Sequence, residues 1–122
     1  MRTPWGEYPE YHTSADDLAF VTPAALGDAV ETCRRIVCVL EGNEVPINRN
    51  PYGEPQLGRR GLYTPLGGRP LDDDVLTAQL WVLNLGDRSH DLLEIAERSG
   101  LPFAAVRSAA VRLRDAGLLD LS

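Results

Sequence analysis

The stretch "SHDLLEIAERSGLPFAAVRSAAVRLRDAGLLDLS" (residues 89–122) decides the fold. Two apolar patterns with helical spacing flank a short turn, in which Gly100 ends one helix and Pro102 begins the next. The apolar alternation of "LLDLS" at the end predicts one short strand. Two helices joined by a tight turn and followed by a strand are typical of a winged helix-turn-helix, with the corner at "RSGLP" (98–102).

Each of these two helices carries its own start and stop signals. Ser89 is the predicted N-cap of the first helix, and Gly117 is the predicted end of the second. The side chains expected to face the core are Leu92, Ile95, Ala96, Phe103, Val106, Ala110 and Leu113. The preceding stretch "LDDDVLTAQLWVLNLGD" (71–87) predicts another helix, acidic in its first turn and apolar nearly all round, which we expect to be central.

A long helix is predicted near the start of the chain. Thr22 is a suitable N-cap, Pro23 fits the first helical position, and Gly42 and Asn43 supply the stop. The apolar stripe of this helix consists of Leu26, Ala29, Val30, Cys33, Val37 and Leu40. The predicted fold class is therefore mainly α: a long amphipathic helix plus a C-terminal winged helix-turn-helix.

Residues 43–71 are rich in proline and glycine but also carry apolar and aromatic side chains. This composition favours an ordered loop laid over a partner surface, although a flexible linker stays open. Tyr52, Arg59 and Arg60 are candidate substrate contacts in it. The predicted organisation is an N-terminal region (1–42), this loop, and a winged-helix domain (72–122).

Charge bears on the class of partner. The chain has 122 residues and a net charge of −6, and its block 72–122 holds nine acidic residues against five arginines. Arg107, Arg112 and Arg114 lie on the third helix of the predicted domain, but alanines occupy positions where base-reading polar residues are expected. Nucleic-acid binding is therefore disfavoured. No apolar run suits a membrane span or a signal peptide, so we expect a cytoplasmic protein.

Few residues have the character of a catalytic or metal site. Cys33 and Cys38 diverge on one helix and are expected to be unpaired and buried. His90 is expected to face solvent. His12 lies among carboxylates in "GEYPEYHTSADDL" (6–18), where a metal ligand and an ordinary surface histidine are both open. Asp16 and Asp17 are equally consistent with turn formation.

Three separated motifs carry a resemblance over essentially the whole chain: "GEYPEYHTSADDLAFVTPAAL", "NPYGEPQLGRRGLY" and "LWVLNLGD…HDLLEIAERSGLPF". Together they resemble the C-terminal part of a bacterial family of aminopeptidase-like zinc peptidases. Members of this family combine a zinc-peptidase α/β domain with a following winged helix, and they often accompany polysaccharide-biosynthesis genes.

The resemblance implies metal-dependent peptide or amide hydrolysis for the full-length relatives. In related zinc aminopeptidases the last metal ligand is a histidine in a "YH…D" segment, a position that His12 matches. The remaining ligands and the general base belong to an upstream region that this sequence lacks, so we expect this chain alone to bind no zinc and to be catalytically silent. Because its first helix lacks the sheet it would cover, the expected partner is a second copy or an upstream peptidase-domain half.

Two alternatives of another class remain. The first is a winged-helix transcriptional regulator that dimerises through its N-terminal helix. The second is a protein–protein interaction module that completes the site of a partner with His12.

Overall fold

The structure is a computed structural model that describes residues 3–53, 55–63 and 73–122. The chain divides into two compact units, residues 1–38 and 39–122. The described helices and strands are, in chain order, α1 (Pro23–Gly42), β1 (Pro46–Asn48), a short 3-10 helix (Leu57–Arg60), α2 (Asp73–Leu85), α3 (Leu92–Ser99), α4 (Phe103–Asp115) and β2 (Leu119–Leu121). The predicted mainly α fold class is confirmed.

The first unit consists of successive turns followed by most of α1. The Thr22 hydroxyl accepts a hydrogen bond from the backbone N–H of Ala25 at 3.2 Å, so the predicted cap of this helix is confirmed. Further along, Glu31 accepts hydrogen bonds from Arg34 (2.7 Å) and Arg35 (2.9 Å). These two guanidinium groups lower the pKa of Glu31 to about 2.

The predicted apolar stripe of α1 is largely exposed. Val30 is 69% and Leu40 is 68% exposed. Cys33 and Cys38 are free and exposed, so the prediction that they are buried is wrong. The spacing of apolar residues identified the helix correctly, but spacing alone does not supply a partner for the stripe.

The second unit holds the hydrophobic core, in which α2 packs mainly against α4 and also against α3. The fully buried side chains include Leu57, Val82, Leu92, Ile95, Val106, Leu113, Leu118 and Leu119. The helix predicted over 71–87 begins by Asp73 and ends at Leu85, with 71 and 72 outside the described residues. Helix α2 is central as predicted, although Leu80 on its outer face is half exposed.

Asp91, and not Ser89, caps α3. The Asp91 carboxylate accepts from the N–H of Glu94 at 2.8 Å, and the Glu94 carboxylate accepts from the N–H of Asp91 at 3.2 Å. This reciprocal pair is a capping box. The prediction of Ser89 was wrong because it overlooked the spacing of Asp91 and Glu94, which places the cap two residues later.

The turn and the end of α4 follow the glycines that predicted them. Gly100 has φ 71° and closes α3 by donating to the Ala96 carbonyl at 3.0 Å. After α4, Gly117 (φ 72°) donates to the Arg114 carbonyl, and Leu118 donates to that of Leu113. This Schellman pattern directs the chain straight into β2.

A two-stranded antiparallel sheet completes the domain, and one of its strands was not predicted. The register pairs Pro46 with Leu121, Ile47 with Asp120, and Asn48 with Leu119. An isolated bridge also pairs Ile47 with Asp87, which lies just beyond the end of α2. The three residues of β1 carry no alternating pattern long enough to be read, and their partner strand is remote in sequence.

The segment 43–48 contacts α2, α3 and β2. The Asn43 side chain donates to the Asp91 carboxylate and accepts from the N–H of Leu93, both at 2.9 Å. The Glu44 carbonyl accepts from the N–H of Leu92 at 3.0 Å. Together with the capping box, these contacts satisfy the first three N–H groups of α3.

The other end of the same segment holds the C-terminus of α2. The Asn48 side chain donates to the Leu83 carbonyl at 2.9 Å, and its backbone N–H donates to the Gly86 carbonyl at 2.8 Å. A Cβ on Gly86 would lie 2.9 Å from the Val82 carbonyl and 3.1 Å from the Asn48 nitrogen. Only glycine therefore allows β1 to approach α2 this closely.

One buried polar side chain stands apart from these networks. Gln79 on α2 is fully buried, and neither amide atom has a hydrogen-bond partner among the residues that the structure describes. Burial of such a group costs about 1–3 kcal/mol. Its amide is a polar group inside an otherwise apolar core.

Replacing Asn43 or Asp91 by alanine tests the capping network. Each change removes acceptors from the first turn of α3, so we expect the free energy of unfolding of the second unit to fall by about 1–2 kcal/mol. The measurement is urea unfolding followed by Trp81 fluorescence in a Trp5→Phe background, which leaves a single tryptophan.

The matched control is Ser89→Ala, because Ser89 contributes its backbone N–H to Asp87 and no described side-chain cap. We expect this variant to unfold within about 0.5 kcal/mol of the parent. A loss for Ser89→Ala equal to that for Asp91→Ala would contradict the assignment of the cap.

Stability should also fall in acid, because three aspartates of this unit are held as carboxylates. The His90 ring lowers the pKa of Asp87, the Glu94 N–H lowers that of Asp91, and the Arg49 guanidinium lowers that of Asp120. With folded pKa values below the ordinary 3.8, the stabilisation is complete above that pH and is lost as pH falls through the folded values.

We therefore expect the urea midpoint to drop from about pH 5 to about pH 2. The variant Asp120→Asn, which lacks one of the three titrating groups, should show a shallower drop. An equal slope in the parent and in Asp120→Asn would show that this carboxylate contributes nothing to the acid sensitivity.

Candidate functional site

His12, the predicted metal ligand, lies in a chain of turns at the start of the first unit. Its backbone has φ 57°, a left-handed conformation that is uncommon outside glycine, and its side chain is exposed. The imidazole packs edge-on against the Tyr11 ring at a centroid distance of 4.1 Å. The neighbouring turn closes through Thr13, whose N–H and hydroxyl both donate to the Glu10 carbonyl.

Aromatic contacts hold this chain of turns together. Tyr8 packs edge-on against Tyr11 at 5.5 Å and stacks on Phe20 at 5.7 Å between ring centroids. Partial desolvation, and next the charge of Asp16, raise the pKa of the Tyr8 phenol. These rings connect the turn bearing His12 with the turn that precedes α1, so the imidazole is positioned by side chains of its own unit.

Asp17 forms a turn, which agrees with the interpretation of this residue as turn-forming. Its carboxylate accepts hydrogen bonds from the N–H groups of Ala19 (2.8 Å) and Phe20 (3.3 Å). A carboxylate bound to backbone N–H groups in this way is an Asx turn. Asp17 therefore has a structural role at the approach to α1.

A complete metal site is not formed by the residues that the structure describes. Within ranges 3–53, 55–63 and 73–122, no three histidine, cysteine, aspartate or glutamate side chains are placed to share an ion. A catalytic zinc needs about three protein ligands. His12 is a suitable type of zinc ligand, but the described residues do not supply the number of ligands that a zinc site needs. A zinc-binding role for His12 therefore stays a prediction.

His90 is not solvent-facing, contrary to the sequence prediction. Its side chain is 16% exposed, and Nδ1 lies 3.0 Å from Oδ1 and 3.2 Å from Oδ2 of Asp87. Asp87 also accepts from the N–H of Ser89 at 2.8 Å. His90 therefore orders the connection between α2 and α3, and the sequence pattern missed this because the pair spans a turn without helical periodicity.

The exposed residues of α4 are Ala104, Arg107, Ser108, Arg114 and Asp115. Arg107 packs over Gly42, where a Cβ would lie 2.6 Å from its Nε, and Arg114 binds Asp115 at 3.0 Å. Of the alanines predicted to replace base-reading residues, Ala104 is exposed, whereas Ala109 is fully buried in the core. Arg107, Ser108 and Arg114 are exposed on this face, and arginine is a residue type that binds guanine edges.

The loop candidates separate into two groups. Tyr52 is completely exposed and lines none of the described clefts. Arg59 and Arg60 instead line one cleft together with Asn50, Pro55 and Gln56. The adjacent Leu57 and Leu62 are buried in the core, so this part of the predicted loop is ordered in the second unit.

No helix in the described ranges has the length and apolar character that crossing a membrane requires.

Comparison with known proteins relates both units to larger molecules. A candidate polysaccharide biosynthesis protein with an aminopeptidase-like domain, from Clostridium acetobutylicum, is 40% identical over 124 residues, covering 99% of this chain and 28% of the relative. The crystal structure of a candidate peptidase from Clostridium acetobutylicum matches with TM-score 0.83 and 36% identity, covering 100% of this chain and 26% of that one. The predicted resemblance to aminopeptidase-like proteins is confirmed, and the chain spans less than a third of either relative.

Family models match the two halves of the chain separately. Residues 1–43 match a domain of unknown function, DUF4910. Residues 44–121 match the winged helix-turn-helix model, which agrees with the helices, turn and ribbon described above. Because this second match covers more than half of the 122 residues, the chain belongs to the winged helix-turn-helix family.

Proposed function

We propose that this chain acts as one part of an aminopeptidase-like zinc protein that hydrolyses peptide or amide bonds. The observation that carries the proposal is the similarity of 99% of the chain to a protein with an aminopeptidase-like domain. The similarity to a candidate peptidase of known structure also supports it. The chain corresponds to only 28% of the first relative, so the activity is proposed for the larger assembly.

In this proposal His12 supplies one imidazole to a zinc ion whose other ligands come from outside the described residues. Its exposure and its left-handed backbone support this role, because unusual backbone conformations in non-glycine residues concentrate at functional sites. The rings of Tyr8 and Tyr11 would restrict the orientation of the imidazole. When bound, zinc would polarise the scissile carbonyl and acidify a water molecule.

The apolar stripe of α1 supports the existence of a partner. Leu26, Val30, Val37 and Leu40 are between 48% and 69% exposed. Burying one such side chain contributes about 1.5–3 kcal/mol. We propose that the stripe packs against a peptidase-domain half or a second copy of this chain.

A metal-binding experiment with the assembled protein tests the proposal. The C. acetobutylicum relative is prepared with this chain in place of its matching segment, and zinc is measured by elemental analysis after dialysis. We expect the assembled protein to retain zinc and to hydrolyse an aminoacyl nitroanilide. His12→Ala should weaken zinc binding by more than the roughly 10–100-fold cost of losing an outer-shell partner.

His90→Ala is the matched control, since it removes the other histidine of the chain, which lies beside Asp87. We expect this variant to retain zinc like the parent. Full zinc retention by His12→Ala would contradict the role of His12, and absence of hydrolysis in a zinc-loaded parent would contradict the proposed activity.

Two alternatives predict different results. A transcriptional regulator would bind duplex DNA tightly with a steep salt dependence, which the nine acidic residues against five arginines in 72–122 disfavour. An interaction module would restore zinc binding when this chain is added in trans to a protein lacking it.

A further inference from the structure

A cleft in the second unit brings two arginines together with two amide side chains. Asn50, Pro55, Gln56, Arg59 and Arg60 line it, and its volume is about 350 Å³. This volume is at the lower end of the range for small-molecule sites, about 300–1,000 Å³. The walls are ordered, because the 3-10 helix bearing both arginines is anchored through the buried side chain of Leu57.

Arg60 is held in place by neutral groups. Its Nη1 donates to the Ala116 carbonyl at 2.8 Å, and its Nε donates to the Pro55 carbonyl at 3.2 Å. A guanidinium has five N–H donors, so these two bonds leave three available. Because carbonyls orient the group without neutralising it, Arg60 keeps its full charge in a fixed position.

Arg59 is exposed on the next position of the same turn, and it forms no ion pair with any described residue. The other arginines for which the structure records a carboxylate partner are Arg34 and Arg35 with Glu31, Arg49 with Asp120, and Arg114 with Asp115. Arg59 and Arg60 are therefore adjacent cations with no ion pair recorded among the described residues. Their mutual repulsion would be relieved by an external anion.

Gln56 adds a polar donor beside the arginines. It has φ 50° and ψ 57°, and its side chain makes no capping bond to the 3-10 helix that follows. Asn50, which also lines the cleft, donates only a long bond, 3.4 Å, to the Gly53 carbonyl. Two cations and two amide groups converging on one cleft match the acceptor oxygens of an oxyanion.

We propose that this cleft binds an oxyanion, the phosphate or carboxylate group of a small molecule. Arg60 provides a fixed cation, Arg59 closes on the anion from the adjacent position, and Gln56 and Asn50 donate to its remaining oxygens. The site does not include His12 and requires no metal ion. The proposal can therefore be tested independently of the proposed peptidase role.

The test is a titration of the ¹⁵N-labelled chain with inorganic phosphate and, separately, with acetate at constant ionic strength. We expect saturable shifts of the Arg59 and Arg60 Nε–H signals and of the Gln56 side-chain amide with at least one anion. The anion with the higher affinity identifies the chemical class. Non-saturating shifts with both anions would overturn the proposal.

Arg59→Gln is the main variant, because the Arg59 side chain makes no described hydrogen bond or ion pair, and its backbone bond to the Gln56 carbonyl is kept in the variant. We expect it to weaken binding about tenfold, equivalent to about 1.4 kcal/mol, while the thermal midpoint is unchanged. The control Arg98→Gln removes an exposed arginine of α3, outside the cleft, and should bind like the parent. Equal weakening by both variants would mean general charge attraction and would overturn the proposal, as would preferential binding of a DNA duplex at this cleft.

Discussion

The hydrogen bonds of Asn43 and Asn48 are the constraint on which the winged-helix unit depends. Asn43 binds the first turn of α3, and Asn48 binds the Leu83 carbonyl in the last turn of α2 and the Gly86 carbonyl just after it. Between them, β1 pairs with β2 at the far end of the chain. One short segment therefore fixes the ends of two helices and the position of the ribbon. Since unpaired groups at helix ends cost stability when buried, losing this segment would loosen all three elements together.

The close approach of this segment depends on small residues at its contact points. Gly86 permits β1 to lie against the end of α2, and Gly42 permits the Arg107 side chain to lie against the end of α1. Arg107 is nevertheless exposed, so its guanidinium stays on the surface of α4.

Sequence reasoning succeeded where local chemistry determines the structure. Gly100, Pro102 and Gly117 marked the turn and the helix ends, and Thr22 marked the start of α1, because these residues act on their immediate neighbours. Strand β1 escaped prediction because its pairing with β2 is non-local and only three residues long. The contacts of Asn43 with Asp91, 48 residues away, escaped for the same reason.

The candidate-site residues also differ in how far the sequence could predict them. His12 was identified from resemblance, and nothing in its spacing within the chain points to a metal. Helical periodicity predicted that Cys33 would be buried, but the stripe on which it lies is largely exposed, and so is this residue. The arginine cleft was suggested only as a pair of residues in a loop, because the carbonyls that orient Arg60 come from Pro55 and from the remote Ala116.

Native-state hydrogen exchange measures most directly whether the helix ends and the ribbon depend on the segment 43–48. The amides of Val45, Asn48, Leu92 and Leu118 donate to groups across the segment, the helix ends and the ribbon. Our account predicts that these amides exchange with the same free energy of opening as the core amides of α4, because the elements open together. Rapid exchange of Val45 and Asn48 while α3 and α4 remain fully protected would contradict it.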